Sequence, residues 1–218
     1  MAKSDGELVV EAARSRLGGP ATWGTPVEFP DSLALCALNS TFSLWNSSPA
    51  VRAVLARYRT LRPLADADSG PDLLCAMDDA GGPEVFAVKV LKSEKCLPGT
   101  RRLCTVGVYE GLENLQSIGV TTAVHLREAA RAGETKRAWM RVKGIGKMGW
   151  SYLIMNAGVT SETKPDVMVE RFVTRAVGSR TSVGPARTSQ AVREAAAALG
   201  VEVRSLDRAI WLHESPNG

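Results

Sequence analysis

Apolar residues recur every three to four positions along most of this chain, the spacing that places them on one face of an α-helix. Stretches rich in Gly, Pro, Ser and Thr interrupt the pattern and mark the helix ends. Residues 84–91 alternate and are rich in β-branched side chains, as in a strand, but no partner strand is evident, so we expect a helix there. The pattern therefore predicts an all-α protein.

The predicted helices are bounded by common start and stop signals. Asp31 or Ser32 is the candidate N-cap of the second helix, and residues 188–189 precede a late one. Gly158 and Gly200 follow helices that they would close. The predicted helices cover residues 7–17, 31–44, 48–59, 72–79, 83–92, 100–117, 121–131, 134–142, 147–157, 166–177, 190–199 and 205–213.

The composition is ordinary for a globular protein. Hydrophobic residues make up 44% of the 218, and the longest apolar run, residues 33–45, is too short to span a membrane. The first residues lack the apolar stretch of a signal peptide, so we expect a cytoplasmic protein without a membrane partner. The four cysteines form no CxxC pair and only two histidines are present, so we expect no metal site and reduced, mostly buried thiols.

The charge is distributed unevenly along the chain. Residues 1–94 carry nine Lys and Arg against twelve Asp and Glu, whereas residues 95–218 carry eighteen against eleven. A basic second half suits a polyanionic partner, because each phosphate contact releases counterions. A solvated basic surface without a partner explains the charge equally well.

One short segment between two predicted helices has the character of a phosphate-binding turn. Gly144 and Gly146 flank Ile145, so the backbone can adopt turn conformations that a side chain would obstruct. The turn leads into the N-terminus of the next helix, where free N–H groups and the helix dipole favour an anion. Lys143 and Lys147 add positive charge, and Ile145 would pack inward. A helix corner that merely packs is the alternative.

A second segment, at a fixed distance from the first, adds a candidate catalytic residue. Lys164, Pro165 and Asp166 precede a predicted helix, 22 residues after Gly144, and Arg171 follows Asp166 by five residues. An Asp at this position accepts N–H bonds from the first turn, which would keep it ionised. Helix capping alone also explains the residue.

These two segments together resemble the helix-hairpin-helix DNA glycosylases, the family of endonuclease III and the adenine DNA glycosylase. That family has a similar hairpin, an aspartate at the same separation and an arginine one helical turn beyond it. Residues 134–178 carry the resemblance, and residues 32–39 and 206–211 resemble an early and a late helix of these proteins.

The resemblance implies two helical lobes with a DNA-binding cleft between them. One lobe would contain residues 1–47 and 179–218, and the other residues 48–178, with the hairpin at 134–158 and the aspartate loop at 159–172. The partner would be double-stranded DNA with a damaged or modified base, which is flipped into the cleft. We expect a monomer in which Asp166 is catalytic, while Arg171 and residues 143–147 contact DNA.

Departures from the family pattern refine this expectation. Members that also cleave the backbone have a nucleophilic lysine where this chain has Met148, so the resemblance implies a monofunctional enzyme with water as nucleophile. Lys147 points about 100° away from that position on a helix. Trp150 replaces a usually small residue. The iron–sulfur loop of some members is absent, so no cluster is expected, and a monovalent cation on hairpin carbonyls is implied by resemblance only.

The base pocket and the biological role stay open at this stage. Asn39 could read a base edge and Trp45 could stack on a flipped base, with Phe42 and Ser43 beside them, although all four could equally be ordinary helix or core residues. Removal of a repair lesion and removal of bulky glucosylated cytosine from phage DNA use the same chemistry. A binding module without turnover is the third alternative.

Overall fold

The computed structural model describes residues 3–23, 29–159 and 167–214. These residues form twelve α-helices and no strand, apart from one isolated bridge between Cys96 and Leu103, so the fold is all-α as predicted. None of their helices has the length and apolar character needed to cross a membrane. The helices are α1 (Asp5–Arg16), α2 (Leu33–Phe42), α3 (Ser48–Leu61), α4 (Gly70–Asp79), α5 (Pro83–Lys89), α6 (Cys104–Gln116), α7 (Ala123–Ala129), α8 (Gly133–Met140), α9 (Lys147–Asn156), α10 (Val167–Ala176), α11 (Pro185–Leu199) and α12 (Val203–Glu214), with 3-10 turns at Pro20–Thr22 and Ala65–Ala67.

The middle of the chain, residues 28–159, is one compact unit built around α2. Nine of the ten residues of α2 are buried, which is the character of a helix enclosed on all sides. It packs against α9 most extensively and also against α3, α4 and α6. Helix α9, which α8 also contacts, therefore packs directly against this buried helix.

The two chain termini together form the second compact unit, which contains residues 1–27 and 160–218. Helix α1 packs along α11, and α10 contacts α1, α11 and α12. Their apolar faces meet in a separate core that includes Val9, Phe172, Val192, Leu206 and Ile210. A Cβ on Gly6 would lie 2.6 Å from the Cβ of Glu194, so α1 approaches α11 very closely at this glycine.

This division differs from the expected one, which placed the boundaries after residues 47 and 178. Helix α2 belongs to the middle unit because its buried side chains are shared with α9 and α6. Helix α10 belongs to the terminal unit because Val169, Phe172 and Val173 are buried in that unit's core. Each helix therefore belongs to the unit whose core buries its apolar side chains.

Other differences concern the ends of elements. The ambiguous segment 84–91 is mainly helical, since α5 covers Pro83–Lys89, which confirms the helix. Helix α11 begins at Pro185, five residues before its expected start. Residues 95–103 form a loop closed by the bridge between Cys96 and Leu103, so α6 starts four residues later than predicted.

A buried polar network fixes the beginning of α2. The Ser32 hydroxyl accepts the N–H of Leu35 and lies 2.7 Å from the carbonyl oxygen of Ala65. The nearby Asp68 carboxylate is almost fully buried and accepts bonds from the Tyr58 hydroxyl and the Arg62 guanidinium. Burial alone would raise the pKa of Asp68, but the bonds from Arg62 and Tyr58 outweigh it and hold the pKa below its ordinary value.

Candidate nucleic-acid interface

The turn between α8 and α9 is anchored from inside by an aliphatic side chain. Ile145 is only 3% exposed and belongs to the core of the middle unit together with Val142. The N–H of Ile145 donates to the carbonyl of Val142 at 3.0 Å, which closes the turn. Ile145 therefore lies in the inward position expected from the sequence, and it holds the surrounding backbone in place.

Gly144 is a glycine that the fold requires. Its φ of +98° lies in a region that other residues rarely adopt. A Cβ at this position would lie 2.8 Å from the Cβ of Leu97 and 3.2 Å from Cγ2 of Thr100. The hairpin turn is therefore pressed directly against the loop at residues 95–103.

Gly146 differs from Gly144 in both respects. Its φ of −96° is open to any residue, and a Cβ there would meet no atom of the described residues within 4 Å. Gly146 is exposed at the N-cap of α9, where it supplies no side chain to bond the free N–H groups of the first turn. Neither backbone conformation nor intramolecular packing requires glycine here, so the free space faces outward over the helix N-terminus.

Basic side chains surround this open helix end. Lys143 and Lys147 are exposed, and neither forms an ion pair with a carboxylate in the part of the chain that the structure describes. Residues 133–158 contain five Lys and Arg and a single acidic residue, Glu134. The adjoining loop at 95–103 contributes Lys95, Arg101 and Arg102 and no acid, although Arg102 pairs with Glu110 of α6.

The four expected base-pocket residues are not equivalent in the structure. Phe42 is fully buried in the core, because α2 is enclosed on that side, whereas Trp45 is 77% exposed. The two aromatic residues therefore differ in their access to a ligand. Asn39 and Ser43 are half-buried, and the Asn39 amide donates to Oδ1 of Asn156 at 3.0 Å.

The other expected site residues lie in different surroundings. Met148 is half-buried against the core of the middle unit, whereas its neighbour Lys147 is exposed. Arg171 is exposed on α10 in the terminal unit. Asp166 and the preceding Lys164 and Pro165 lie outside the described residues.

The cysteines and the hairpin carbonyls bear on whether a metal ion could bind to this protein. No group of three or more His, Cys, Asp or Glu side chains suited to a metal ion occurs among the described residues. The carbonyls of Val142 and Gly146 accept the N–H groups of Ile145 and Trp150, which leaves each oxygen one lone pair for a further ligand. All four thiols are free.

The expectation of mostly buried thiols holds for half of them. Cys36 and Cys104 are buried, and burial raises the pKa of Cys104 to about 12. Cys96 is half-buried and Cys75 is exposed. The charge of Asp79, together with slight desolvation, raises the pKa of the Cys75 thiol, so even the exposed cysteine is held as a weakly reactive thiol.

The loop at 95–103 is a component of this surface that the apolar spacing does not predict, because that spacing extends the following helix back to residue 100. The Pro98-Gly99 dipeptide is a strong turn signal, and Arg101 and Arg102 follow it directly. Reading that signal would have identified a basic loop, although not its contact with Gly144, which depends on tertiary structure.

The fold and this basic hairpin surface define an all-helical protein with a candidate anion-binding turn. Residues 7–215 match the model of the family described as a domain of unknown function (DUF8548), so the chain belongs to this family. No curated protein and no solved structure matches the chain.

Proposed function

We propose that this protein binds double-stranded DNA through the α8–α9 hairpin and acts as a monofunctional DNA glycosylase. It flips a damaged or modified base and removes it by hydrolysis, leaving an abasic site. The observation that carries the proposal is the open N-terminus of α9, where an exposed Gly146 leaves free space between two lysines that have no ion-pair partner among the described residues.

A DNA phosphate fits this site for three physical reasons. The first N–H groups of α9 have no acceptor within the helix, and no side chain in the described part of the chain caps them. The partial positive charge of the helix end adds to that of Lys143 and Lys147. Gly144 and Ile145 hold the turn rigidly, so little backbone ordering opposes binding.

Support for base removal comes from the sequence register. Asp166 follows Gly144 at the separation found in the helix-hairpin-helix glycosylases, and Arg171 follows in register on α10. As the bond between C1′ and the base nitrogen breaks, the Asp166 carboxylate stabilises the positive charge that develops on the sugar. The electron pair of the broken bond leaves with the base nitrogen. Asp166 orients the water whose oxygen then bonds to C1′, and the proton that this water loses balances the proton that the departing base takes up.

The side chain at the fourth position after Gly144 favours hydrolysis without strand cleavage. Met148 is half-buried and carries no amine, so it cannot form a Schiff base with the sugar. Lys147 is exposed and beside the phosphate-binding turn, where it contributes charge. We therefore expect abasic sites that remain intact until alkali is added.

Base release from two DNA pools tests the catalytic part of the proposal. One pool carries common lesions, and the other is phage DNA with modified cytosines. Alkali-labile sites should form in one of them with the wild type and fall by a factor on the order of 10²–10³ with Asp166→Asn. Asp31→Asn, an exposed aspartate before α2, is the matched control and should retain activity.

The pool that reacts distinguishes repair of damaged bases from defence against phage DNA. Equal rates for Asp166→Asn and the wild type would contradict the assigned role of Asp166. No abasic sites in either pool, with salt-sensitive DNA binding retained, would contradict the glycosylase and favour a binding module without turnover.

A further inference from the structure

Helices α4 and α6 of the middle unit pack side by side and leave an open groove between them. The groove has a volume of about 610 Å³. Its α4 wall is formed by Pro71, Leu74, Cys75 and Asp78, whose spacing of three and four residues places them on one face of the helix. These residues extend over about two turns, roughly 10 Å, which an extended chain of about three residues would span. The groove therefore has the length of a short peptide segment.

The α6 wall of the groove carries an aromatic ring and a carboxylate. Tyr109 and Glu113 line the groove and are one helical turn apart. The Tyr109 hydroxyl donates a hydrogen bond to Oδ1 of Asp78 at 2.9 Å, which joins the α6 wall to the α4 wall. This bond raises the pKa of Tyr109, so the hydroxyl remains a neutral donor. Leu74, which is 8% exposed and belongs to the core, supplies an apolar surface between the polar groups.

The groove is negatively charged, although the chain as a whole has a net charge of +4. Asp78 and Glu113 are exposed, and neither forms an ion pair among the described residues. No Lys or Arg of the described part of the chain lines the groove. The adjacent Asp79 adds a further negative charge, which raises the pKa of the Cys75 thiol. An open groove with unpaired carboxylates on both walls is complementary to a cationic ligand.

The groove and the hairpin surface lie on different faces of α6. A Cβ on Gly111 would lie 2.5 Å from Cζ3 of Trp139, so this face of α6 is pressed against the hairpin helix α8. Tyr109 and Glu113 are each two residues from Gly111, which places them roughly 160° away from it around the helix. A ligand in the groove and a phosphate at the N-terminus of α9 would therefore occupy separate surfaces of the middle unit.

We propose that the groove between α4 and α6 binds an extended segment of a partner protein that is rich in arginine and lysine. The cationic groups of the segment pair with Asp78 and Glu113, while their methylene stems lie along Leu74 and the Tyr109 ring. The groove is open along its length, so water would keep a small cation solvated there, whereas a chain segment makes several contacts at once. This interaction does not depend on DNA binding by the hairpin.

Binding of a fluorescein-labelled hexa-arginine peptide tests the groove, with a hexa-glutamate peptide as the reference probe. Fluorescence anisotropy at moderate salt should show that the wild type binds the arginine peptide and not the glutamate peptide. The double variant Asp78→Asn Glu113→Gln should lose about tenfold in affinity, because two ion pairs with the peptide are removed. The double variant Asp31→Asn Glu84→Gln is the matched control. It removes two exposed carboxylates of the same unit outside the groove and should keep the wild-type affinity.

Cys75→Leu distinguishes binding inside the groove from general attraction between charges. The variant adds bulk at an exposed position of the α4 wall and changes no charge. It should therefore also weaken binding of the arginine peptide several-fold, because the peptide and the larger side chain compete for the same space. Wild-type affinity in this variant would mean that the peptide binds elsewhere, and the groove would be wrong as its site.

Further results would overturn the proposal. One is a wild type without affinity for the arginine peptide, and another is a variant Asp78→Asn Glu113→Gln that binds this peptide as tightly as the wild type. Displacement of the peptide by an equal concentration of spermine would mean that a small polycation is sufficient, and a chain segment would be wrong as the occupant. A wild type that binds the arginine peptide but no duplex DNA would contradict the DNA proposal alone and leave the groove standing.

Discussion

Two glycines in the hairpin, two positions apart, serve different purposes. Gly144 has a positive φ and would place a Cβ 2.8 Å from the Cβ of Leu97, so the fold itself needs it. Gly146 has an ordinary φ and open space around its missing side chain. The fold therefore does not require glycine at position 146, whereas the DNA phosphate that we propose would approach this backbone more closely if no side chain were present.

Alanine substitutions at these glycines should separate folding from binding. Gly144→Ala should lower the free energy of unfolding by about 2 kcal/mol, because the backbone is strained and Leu97 must move. Gly146→Ala should lower the free energy of unfolding by no more than about 1 kcal/mol, the cost of an alanine at an N-cap, and weaken duplex binding, because its methyl group occupies the approach to the helix end. Urea denaturation and anisotropy give the two quantities.

Each of the two alanine variants has a result that would contradict the role given to its glycine. Gly146→Ala with wild-type affinity for duplex DNA would mean that no phosphate approaches the N-terminus of α9. Gly144→Ala with wild-type stability would mean that the loop at 95–103 does not press against the turn.

At the scale of elements, local signals predicted the helices better than their ends. Residues 84–91 have a composition that fits a strand, yet the lack of a pairing strand made α5 the better prediction. The Thr188-Ser189 pair predicts a start of α11 that is five residues too late. The helix begins at Pro185, whose fixed φ suits the first helical turn.

Some features of this surface depend on tertiary contacts that no local sequence pattern predicts. The loop at 95–103 is held by Leu97, which is buried against Gly107 of α6 and touches Gly144, and no local pattern encodes these neighbours. The inward position of Ile145 was predictable, because an aliphatic side chain between two glycines is the one apolar group of the turn and packs against the core. The left-handed backbone of Trp45 had no sequence signal, since tryptophan rarely adopts it.

The junction of α2, α3 and the loop between α3 and α4 depends on Asp68. Its carboxylate is 2.6 Å from the Tyr58 hydroxyl and 2.9 Å from two nitrogens of Arg62. Asp68→Asn keeps an acceptor for Tyr58 but removes the charge, so it should lower the free energy of unfolding by about 2 kcal/mol at neutral pH.

The pH dependence of this loss follows from the lowered pKa of Asp68. The carboxylate stabilises the folded state above its unfolded pKa of about 3.9, and this contribution is lost as the pH falls through the lower folded value. The difference between wild type and Asp68→Asn should therefore be constant from pH about 7 to about 5 and shrink below about 4. A difference that stays constant down to pH about 3 would contradict the assigned network.

At the scale of the whole molecule, the positive charge is concentrated in one place. The chain has a net charge of +4, and residues 133–158, with five basic residues and one acidic residue, account for the same amount. The rest of the sequence is balanced overall. Attraction to a polyanion should therefore act mainly through the hairpin and should weaken steeply with salt.

The salt dependence of duplex binding tests this account most directly. The affinity is measured from low to moderate salt for the wild type, for the double variant Lys143→Gln Lys147→Gln, and for Lys89→Gln. Lys89 is another exposed lysine, on α5. The double variant should bind more weakly, with a slope of log affinity against log salt shallower by about 1.8, since two phosphate contacts are lost. Lys89→Gln should match the wild type. A double variant with the affinity and slope of the wild type would contradict the hairpin as the DNA-binding site.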